Sequence, residues 1–414
     1  MIKGGAPGAM AAAVPEIPKP VSIRSTVGDF ARVRGWVVTV CRLHQSPNEG
    51  LGSSVQSGMW IVWLVAMLAP AAEIRPGVWS AKEAAGLPLP VSGYQAFLVG
   101  ELHGVERNAP FQLNYLERLH AEAGLRDVAI EEDAVYERAA QRFVNGETDE
   151  MPGELCLRAS LLQGVRDLNS RLPQKDRIRI HLIDIDSPAD AIHRHLRILR
   201  EEWKAGDVPL PAADQIKWHG LAVVEMLKPH APGTEGRAEL RTIELSIQTL
   251  QAGLEAAIGI PKGSPYLESR EEAIAANLVQ LVKRHSKVLA LYGSDHISRK
   301  MRMDGGPERN EPFKPMALRL RERAIRAYSL LTVPLQAEVQ WRGRRTEMPW
   351  TAADGRLSTG ETFDRMLASD PGSEVFFIDR QRERARMVTS DLAAFEVDGY
   401  VLFRSSGPMR DSCR

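Results

Sequence analysis

Short, continuous apolar segments recur along the chain and are separated by longer amphipathic stretches. Six of them predict strands, at residues 95–100, 127–131, 177–184, 287–293, 374–379 and 399–403. Most are apolar without alternation, which is typical of parallel strands that are buried on both faces. Apolar residues recur at helical spacing between them, as at Phe111, Tyr115, Leu116 and Leu119. The pattern predicts an α/β fold with a mainly parallel sheet flanked by helices, and the polar stretch 203–265 predicts a helical insertion.

The amino-terminal part of the chain has a different pattern. Residues 1–57 are rich in Gly, Pro, Ser and Ala without a sustained period, so we expect 1–75 to be a disordered leader and 90–405 to be a single domain. The apolar run within 59–72 is shorter than the roughly 20 residues that span a bilayer. It is similar to the core of a signal peptide, and Ala69-Pro70-Ala71 is similar to its cleavage site. We therefore expect export to the periplasm or the medium, or a cytoplasmic location if the run is not a signal.

Composition excludes several classes of protein. The chain has 414 residues, of which 44% are hydrophobic, and its 53 Lys and Arg residues balance its 53 Asp and Glu residues. These proportions are those of a globular protein, and zero net charge gives no overall attraction to nucleic acid or to an anionic membrane. We expect a small-molecule or peptide substrate, no nucleic acid and no stable membrane span. The three cysteines form no CxxC pair, which argues against a thiolate zinc site or a redox pair.

Titratable residues follow four of the predicted strands. In chain order they are Glu101 and His103, Glu131, Asp184 and Asp186, and His296. Ligands bind beyond the carboxyl ends of parallel strands, so we expect these residues to form one site. Two imidazoles and several carboxylates can hold a divalent metal that activates water, or they can activate water without a metal. Both routes predict hydrolysis, and the sequence leaves the two open.

Five short motifs resemble those of the superfamily that contains erythromycin esterases, ChaN-like proteins and TIKI/TraB proteins. Residues 97–104 (FLVGELHG) resemble its first motif. The later motifs of the superfamily have counterparts in this chain, in the same order, at residues 128–131 (VAIE), 183–188 (IDIDSP), 270–277 (REEAIAAN) and 292–296 (YGSDH). The resemblance covers about 93–300. One residue separates Glu101 from His103, which is closer to the ChaN and TIKI-like pattern than to the esterase branch.

This resemblance implies an α/β core and a set of site residues. The implied catalytic residues are Glu101, His103, Glu131 and His296. The metal hypothesis makes Glu101, His103 and His296 the ligands of a divalent ion. The residues expected to support the site from behind are Asp184, Asp186 and Arg270. We expect an exported hydrolase of ester or peptide bonds, and the alternative implied by the ChaN-like branch is a haem- or iron-binding protein.

Overall fold

The computed structural model describes residues 31–33, 36–38, 71–257, 265–303, 312–335, 337–341, 344–347, 355–387 and 395–409. The chain divides into two compact units, Met1–Met67 and Leu68–Arg414. In the first unit, β1 (Ala31–Val33) pairs antiparallel with β2 (Trp36–Val38). Most of the predicted signal-like run lies outside the described residues. None of the helices in the described part of the chain combines the length and apolarity that crossing a bilayer requires.

The second unit is built on a nine-stranded sheet. The strands after β2 are β3 (Ala72–Arg75), β4 (Val78–Ala81), β5 (Ala96–Glu101), β6 (Asp127–Asp133), β7 (Arg179–Asp184), β8 (Val288–Gly293), β9 (Arg302–Met303), β10 (Pro312–Phe313), β11 (Ala327–Pro334), β12 (Glu338–Trp341), β13 (Arg344–Glu347), β14 (Val375–Asp379) and β15 (Gly399–Phe403). The order across the sheet is β3-β4-β14-β15-β11-β5-β8-β6-β7. The strands from β15 to β7 in this order are parallel, and β14, β4 and β3 extend the sheet antiparallel.

Helices cover both faces of this sheet. The helices of the described residues are α1 (Asn108–Ala123), α2 (Glu137–Val144), α3 (Ala159–Arg171), α4 (Ala189–Glu202), α5 (Ile216–Leu227), α6 (Gly233–Ala257), α7 (Pro265–His285), α8 (Met316–Glu322) and α9 (Phe363–Ala368). Alternate residues of β5 point to opposite faces: Phe97 packs with α1, α2 and α3, whereas Leu98 packs with α7, α8 and α9. The predicted α/β class is therefore confirmed.

The sheet extends beyond the domain that the sequence predicts. β3 and β4 lie before residue 90, and β3 lies inside the segment predicted as a leader, so the expected start of the domain is too late. β11 was not predicted, although it pairs with β5 and β15 in the middle of the sheet. Its apolar run is interrupted by Ser329 and Thr332: the Ser329 backbone N–H donates to Asp398, and the Thr332 hydroxyl donates to the carbonyl of Gly100.

The region predicted as an insertion contains α5 and α6, which pack with α4 around an apolar core of their own. A buried histidine connects α4 to the end of β7. His195 is 1% exposed, with Nδ1 2.6 Å from Asp186 and Nε2 2.9 Å from Glu239 on α6. Burial alone would lower the pKa of His195, but the two carboxylates outweigh it and raise the pKa to about 9. The pair of carboxylates thus holds a charged imidazole between the insertion and the sheet.

We predict that His195→Gln lowers the free energy of unfolding by about 3 kcal/mol, because the buried Asp186 then loses its counter-ion and Glu239 keeps Arg138 but loses His195. The pKa of His195 is raised in the folded state, so its stabilisation is complete below about pH 6.5 and is lost as the pH rises through about 9. In denaturant unfolding from pH 6 to pH 10, the free energy of unfolding should therefore fall less steeply with pH in the variant than in the wild type. His193→Gln, on the same helix, is the control. An unchanged slope in His195→Gln would contradict the assignment.

Candidate active site

The predicted catalytic residues lie together at the carboxyl edge of the sheet. Glu101 ends β5, Glu131 lies near the end of β6 and Asp184 ends β7. His103 follows β5, and His296 lies in the short 3-10 turn Ser294–Ile297 that follows β8. The four strands are parallel neighbours in the sheet, so their carboxyl ends meet at one edge.

Glu131 is the centre of the site. Its Oε1 accepts a hydrogen bond from Arg270 Nη2 at 2.7 Å and lies 3.1 Å from His296 Nε2. Its Oε2 accepts one from the backbone N–H of Gly293 at 2.6 Å and lies 3.6 Å from His103 Nε2. A Cβ at Gly293 would lie 2.9 Å from His103 Nε2, so the close approach requires glycine. Burial opposes the charge on Glu131, but His296, His103 and Arg270 outweigh it and hold its pKa well below the ordinary value.

His296 is held as a cation between two carboxylates. Its Nδ1 forms an ion pair with Oε1 of Glu271 on α7, and its Nε2 faces Glu131. Glu271 is fully buried, and its Oε2 accepts the backbone N–H of Met316 at 2.6 Å. Burial alone would lower the pKa of His296, but Glu271 and Glu131 raise it well above the ordinary value. A histidine that is already protonated and enclosed in this way cannot serve as a general base near neutral pH.

His103 has a different environment. Its side chain is 31% exposed, and its Nδ1 lies 3.1 Å from Oε1 of Glu101. Glu101 is buried and also accepts hydrogen bonds from Arg158, at Oε1, and from Gln112, at Oε2 and 2.5 Å. Burial opposes its charge, but Arg158 and His103 outweigh it and lower the pKa of Glu101 to about 2. A fixed carboxylate therefore orients the His103 ring, with Nε2 turned towards Glu131.

The residues expected behind the site divide into two groups. Arg270 links Glu131 to Asp184, donating to the two oxygens of Asp184 from Nε at 3.1 Å and from Nη2 at 2.5 Å. Arg270 therefore contacts Glu131 directly and Asp184 is connected to it through Arg270, and their supporting role stays a prediction. Asp186 does not, because its carboxylate contacts His195 and the backbone N–H of Val135. It holds an imidazole, but that of His195 on α4, away from Glu131.

The arrangement does not fit a metal held by Glu101, His103 and His296. Glu101 contacts the Nδ1 side of His103, whereas His296 lies near the opposite nitrogen, across Glu131. The carboxylate oxygens already accept from guanidinium groups that have little access to solvent. A metal cation placed here would lie next to Arg158 and Arg270. The donor set as placed favours the metal-free hypothesis.

Three residues of the site were not predicted: Gln112, Arg158 and Glu271. Glu271 could have been found, because it stands next to Arg270 in the helical motif that resembles the superfamily. Gln112 and Arg158 come from α1 and from the 3-10 segment Gly153–Arg158. No strand end or motif marks them, so the sequence gives no sign of their role.

A cavity of about 250 Å³ opens beside His103. Its polar lining includes Glu101, His103, Gln112 and Arg158. Its apolar lining includes Val105, Ala109, Leu157, Leu161 and Met409. A small ligand in this cavity would thus meet an apolar surface on one side and the exposed imidazole on the other.

Comparison of the sequence with models of known protein families and with curated proteins finds no match. Solved structures do match. A succinoglycan biosynthesis protein is 13% identical, covering 80% of this chain and 95% of its own, with a TM-score of 0.59. An erythromycin esterase in its open conformation is 14% identical, covering 77% of this chain and 92% of its own, with a TM-score of 0.56. At such identities the likeness shows a shared fold, and it confirms at that level the resemblance inferred from the motifs.

The haem-binding ChaN of Campylobacter jejuni also matches, at 15% identity over 58% of this chain and 81% of its own. Its TM-score of 0.27 is too low to support an inference about this chain.

We predict that Glu271→Gln lowers the pKa of His296 and destabilises the protein by about 3 kcal/mol, because a buried cation loses one of its two carboxylates. The titration of isotope-labelled histidines by NMR measures the first effect, and denaturant unfolding measures the second. Glu272→Gln is a matched control, since Glu272 is the next residue of α7 and its side chain is 41% exposed. If His296 titrates alike in the wild type and in Glu271→Gln, the proposed ion pair does not form.

Proposed function

We propose that this protein is a hydrolase of small esters in which His103 activates water without a metal. The observation that supports this best is the position of the His103 ring. Nδ1 is held by the ionised Glu101, Nε2 lies 3.6 Å from Glu131, and the partly exposed ring lines a cavity. A partly exposed imidazole with a carboxylate behind it is the arrangement of a general base.

In the proposed reaction, His103 Nε2 takes a proton from a water molecule as the water oxygen bonds to the ester carbonyl carbon. The tetrahedral intermediate then collapses, the bond between that carbon and the alcohol oxygen breaks, and the alcohol takes the proton from His103. Glu101 fixes the ring so that Nδ1–H faces it and Nε2 is the basic nitrogen. The negative charge of Glu131 stabilises the imidazolium that forms between the two proton transfers.

The cavity limits the substrate that we propose. Its volume of about 250 Å³ lies below the roughly 300–1,000 Å³ of sites for drug-sized ligands. Its apolar side would accept a short hydrocarbon part of the substrate, next to the imidazole. We therefore propose an ester or lactone of which only a small part enters the cavity. A peptide bond is the less favoured substrate, because an amine leaves less readily than an alcohol.

The haem-binding alternative gains no support from the contacts in the described residues. Both ring nitrogens of His296 face carboxylates, and Nδ1 of His103 faces Glu101.

We also propose that the protein acts after export. The support for this is the sequence of residues 59–72, and cleavage after Ala71 would leave β3, which begins at Ala72, intact.

We predict that His103→Gln lowers kcat/KM for a small ester, such as a p-nitrophenyl ester of a short-chain acid, by about 100- to 10,000-fold. The fold should be retained, because the His103 side chain is partly exposed. His219→Gln, which changes an exposed histidine on α5, is the control. His296→Ala is a poorer test, since it removes a buried counter-ion and should unfold part of the protein. Full activity in folded His103→Gln would overturn the proposal.

We predict that Ala109→Phe raises KM at least about tenfold while kcat stays within about twofold, because the ring fills space that the substrate uses without touching the imidazole. Initial rates over a range of substrate concentrations separate the two constants. Ala121→Phe places the same ring on an exposed position of the same helix and serves as the control. If the two variants have the same KM, the substrate does not bind in this cavity.

A further inference from the structure

A second cluster of histidine and carboxylate side chains lies at the other end of the sheet. Asp127 is the first residue of β6, His181 lies in β7 and His285 is the last residue of α7. The start of β6 is four residues before Glu131, or about 13 Å along a strand. The cluster is therefore separate from the candidate active site.

The three side chains converge on one point. Each offers one ligand atom, and these atoms all lie within 4.8 Å of one another. Asp127 Oδ1 lies 2.9 Å from His181 Nε2 and 3.7 Å from His285 Nδ1. A tetrahedral zinc ion with ligands at about 2.0–2.1 Å would separate them by about 3.3 Å. The observed distances lie on either side of this value, so small rotations of the side chains would complete the site.

A further carboxylate orients His181. Glu137 Oε1 lies 3.7 Å from His181 Nδ1, and Glu137 Oε2 accepts the backbone N–H of Leu182 at 2.9 Å. Metal-binding histidines usually have such a carboxylate at the second nitrogen, because it fixes the tautomer and the direction of the ring. Here it directs Nε2 of His181 towards Asp127. The rings of His181 and His285 stack with their centroids 5.5 Å apart, which positions the third ligand.

Arg179 would compete with a metal ion for the carboxylate of Asp127. Its Nη2 donates to Asp127 Oδ2 at 2.7 Å and lies 3.4 Å from His285 Nδ1. The Arg179 side chain is 43% exposed, so it can turn into solvent when another cation binds. Its Nε also donates to Asp127 Oδ1 at 2.8 Å, so both oxygens of Asp127 become available when Arg179 turns away. A groove of about 690 Å³, lined in part by Arg179, His181 and His285, gives access from solvent.

We propose that Asp127, His181 and His285 form a binding site for a first-row divalent transition metal ion such as Zn²⁺. Two imidazoles and one carboxylate favour such ions over Mg²⁺ or Ca²⁺, which prefer oxygen ligands throughout. The ion would connect the end of α7 to β6 and β7, and a fourth position would stay open to water or to a ligand in the groove.

The test is a Co²⁺ titration of the full-length, chelator-treated protein, followed by visible ligand-field absorption, which reports the geometry of the bound ion directly. We expect the bands to saturate at one equivalent, to be lost in His285→Gln and to persist in His103→Gln and His219→Gln. His285 is a partly exposed residue at a helix end, so its substitution should preserve the fold, which circular dichroism checks.

Thermal unfolding with Zn²⁺ gives a second measurement. The ion should raise the Tm of the wild type and of His103→Gln, but not that of His285→Gln. The absence of bands in the wild type, or bands of equal intensity in His285→Gln, would overturn the proposal. Loss of the bands in His103→Gln would overturn it too, because the ion would then bind at the candidate active site. These outcomes do not depend on whether the protein is a hydrolase.

Discussion

The carboxyl edge of the sheet depends on keeping a charged Glu131 nearly out of contact with water, since its side chain is only 11% exposed. An unpaired charge in such a place costs several kcal/mol, so the fold must supply opposite charges on every side. It does so in a line of alternating sign: Asp184, Arg270, Glu131, His296 and Glu271. Each of these charges is stabilised in its position by the opposite charges next to it. The five residues therefore have to be in place together in the folded protein.

This constraint explains how the layers of the protein are joined. Arg270 and Glu271 are consecutive residues of α7, and they contact Glu131 and His296, respectively. The helix must therefore pass the carboxyl edge of the sheet next to Glu131. The same Glu271 binds the first N–H of α8, which places that helix beside α7. The two histidines consequently differ in what they can do. His296 balances the charges of two carboxylates, whereas the ring of His103 is partly exposed and lines the cavity, which is why we propose His103 as the residue that moves a proton.

The sequence allowed the parallel core and most of this edge to be predicted. Continuous apolar runs marked five strands of the parallel part, and the rule that ligands bind beyond strand ends brought Glu101, Glu131 and His296 together. What escaped prediction has physical reasons. β11 contains buried Ser329 and Thr332, and the partners of the Ser329 backbone N–H and of the Thr332 hydroxyl come from distant parts of the chain. Arg158 and Gln112 are defined by tertiary contacts alone, and the carboxylate of Asp186 contacts His195 on α4, although Asp186 lies two residues from Asp184.

The two histidine clusters show why residue type alone does not decide between metal binding and acid–base chemistry. Both contain two imidazoles and at least one carboxylate. At the candidate active site, the counter-charges are side chains with little access to solvent: Arg158 is 10% exposed and Arg270 is 21% exposed. They cannot leave without exposing buried carboxylates, so the place of a metal is already taken by protein cations. At Asp127 the guanidinium in contact, among the described residues, is that of Arg179, which is 43% exposed and can turn into solvent. Whether the protein's own cations are fixed or removable therefore determines which cluster is open to a metal ion.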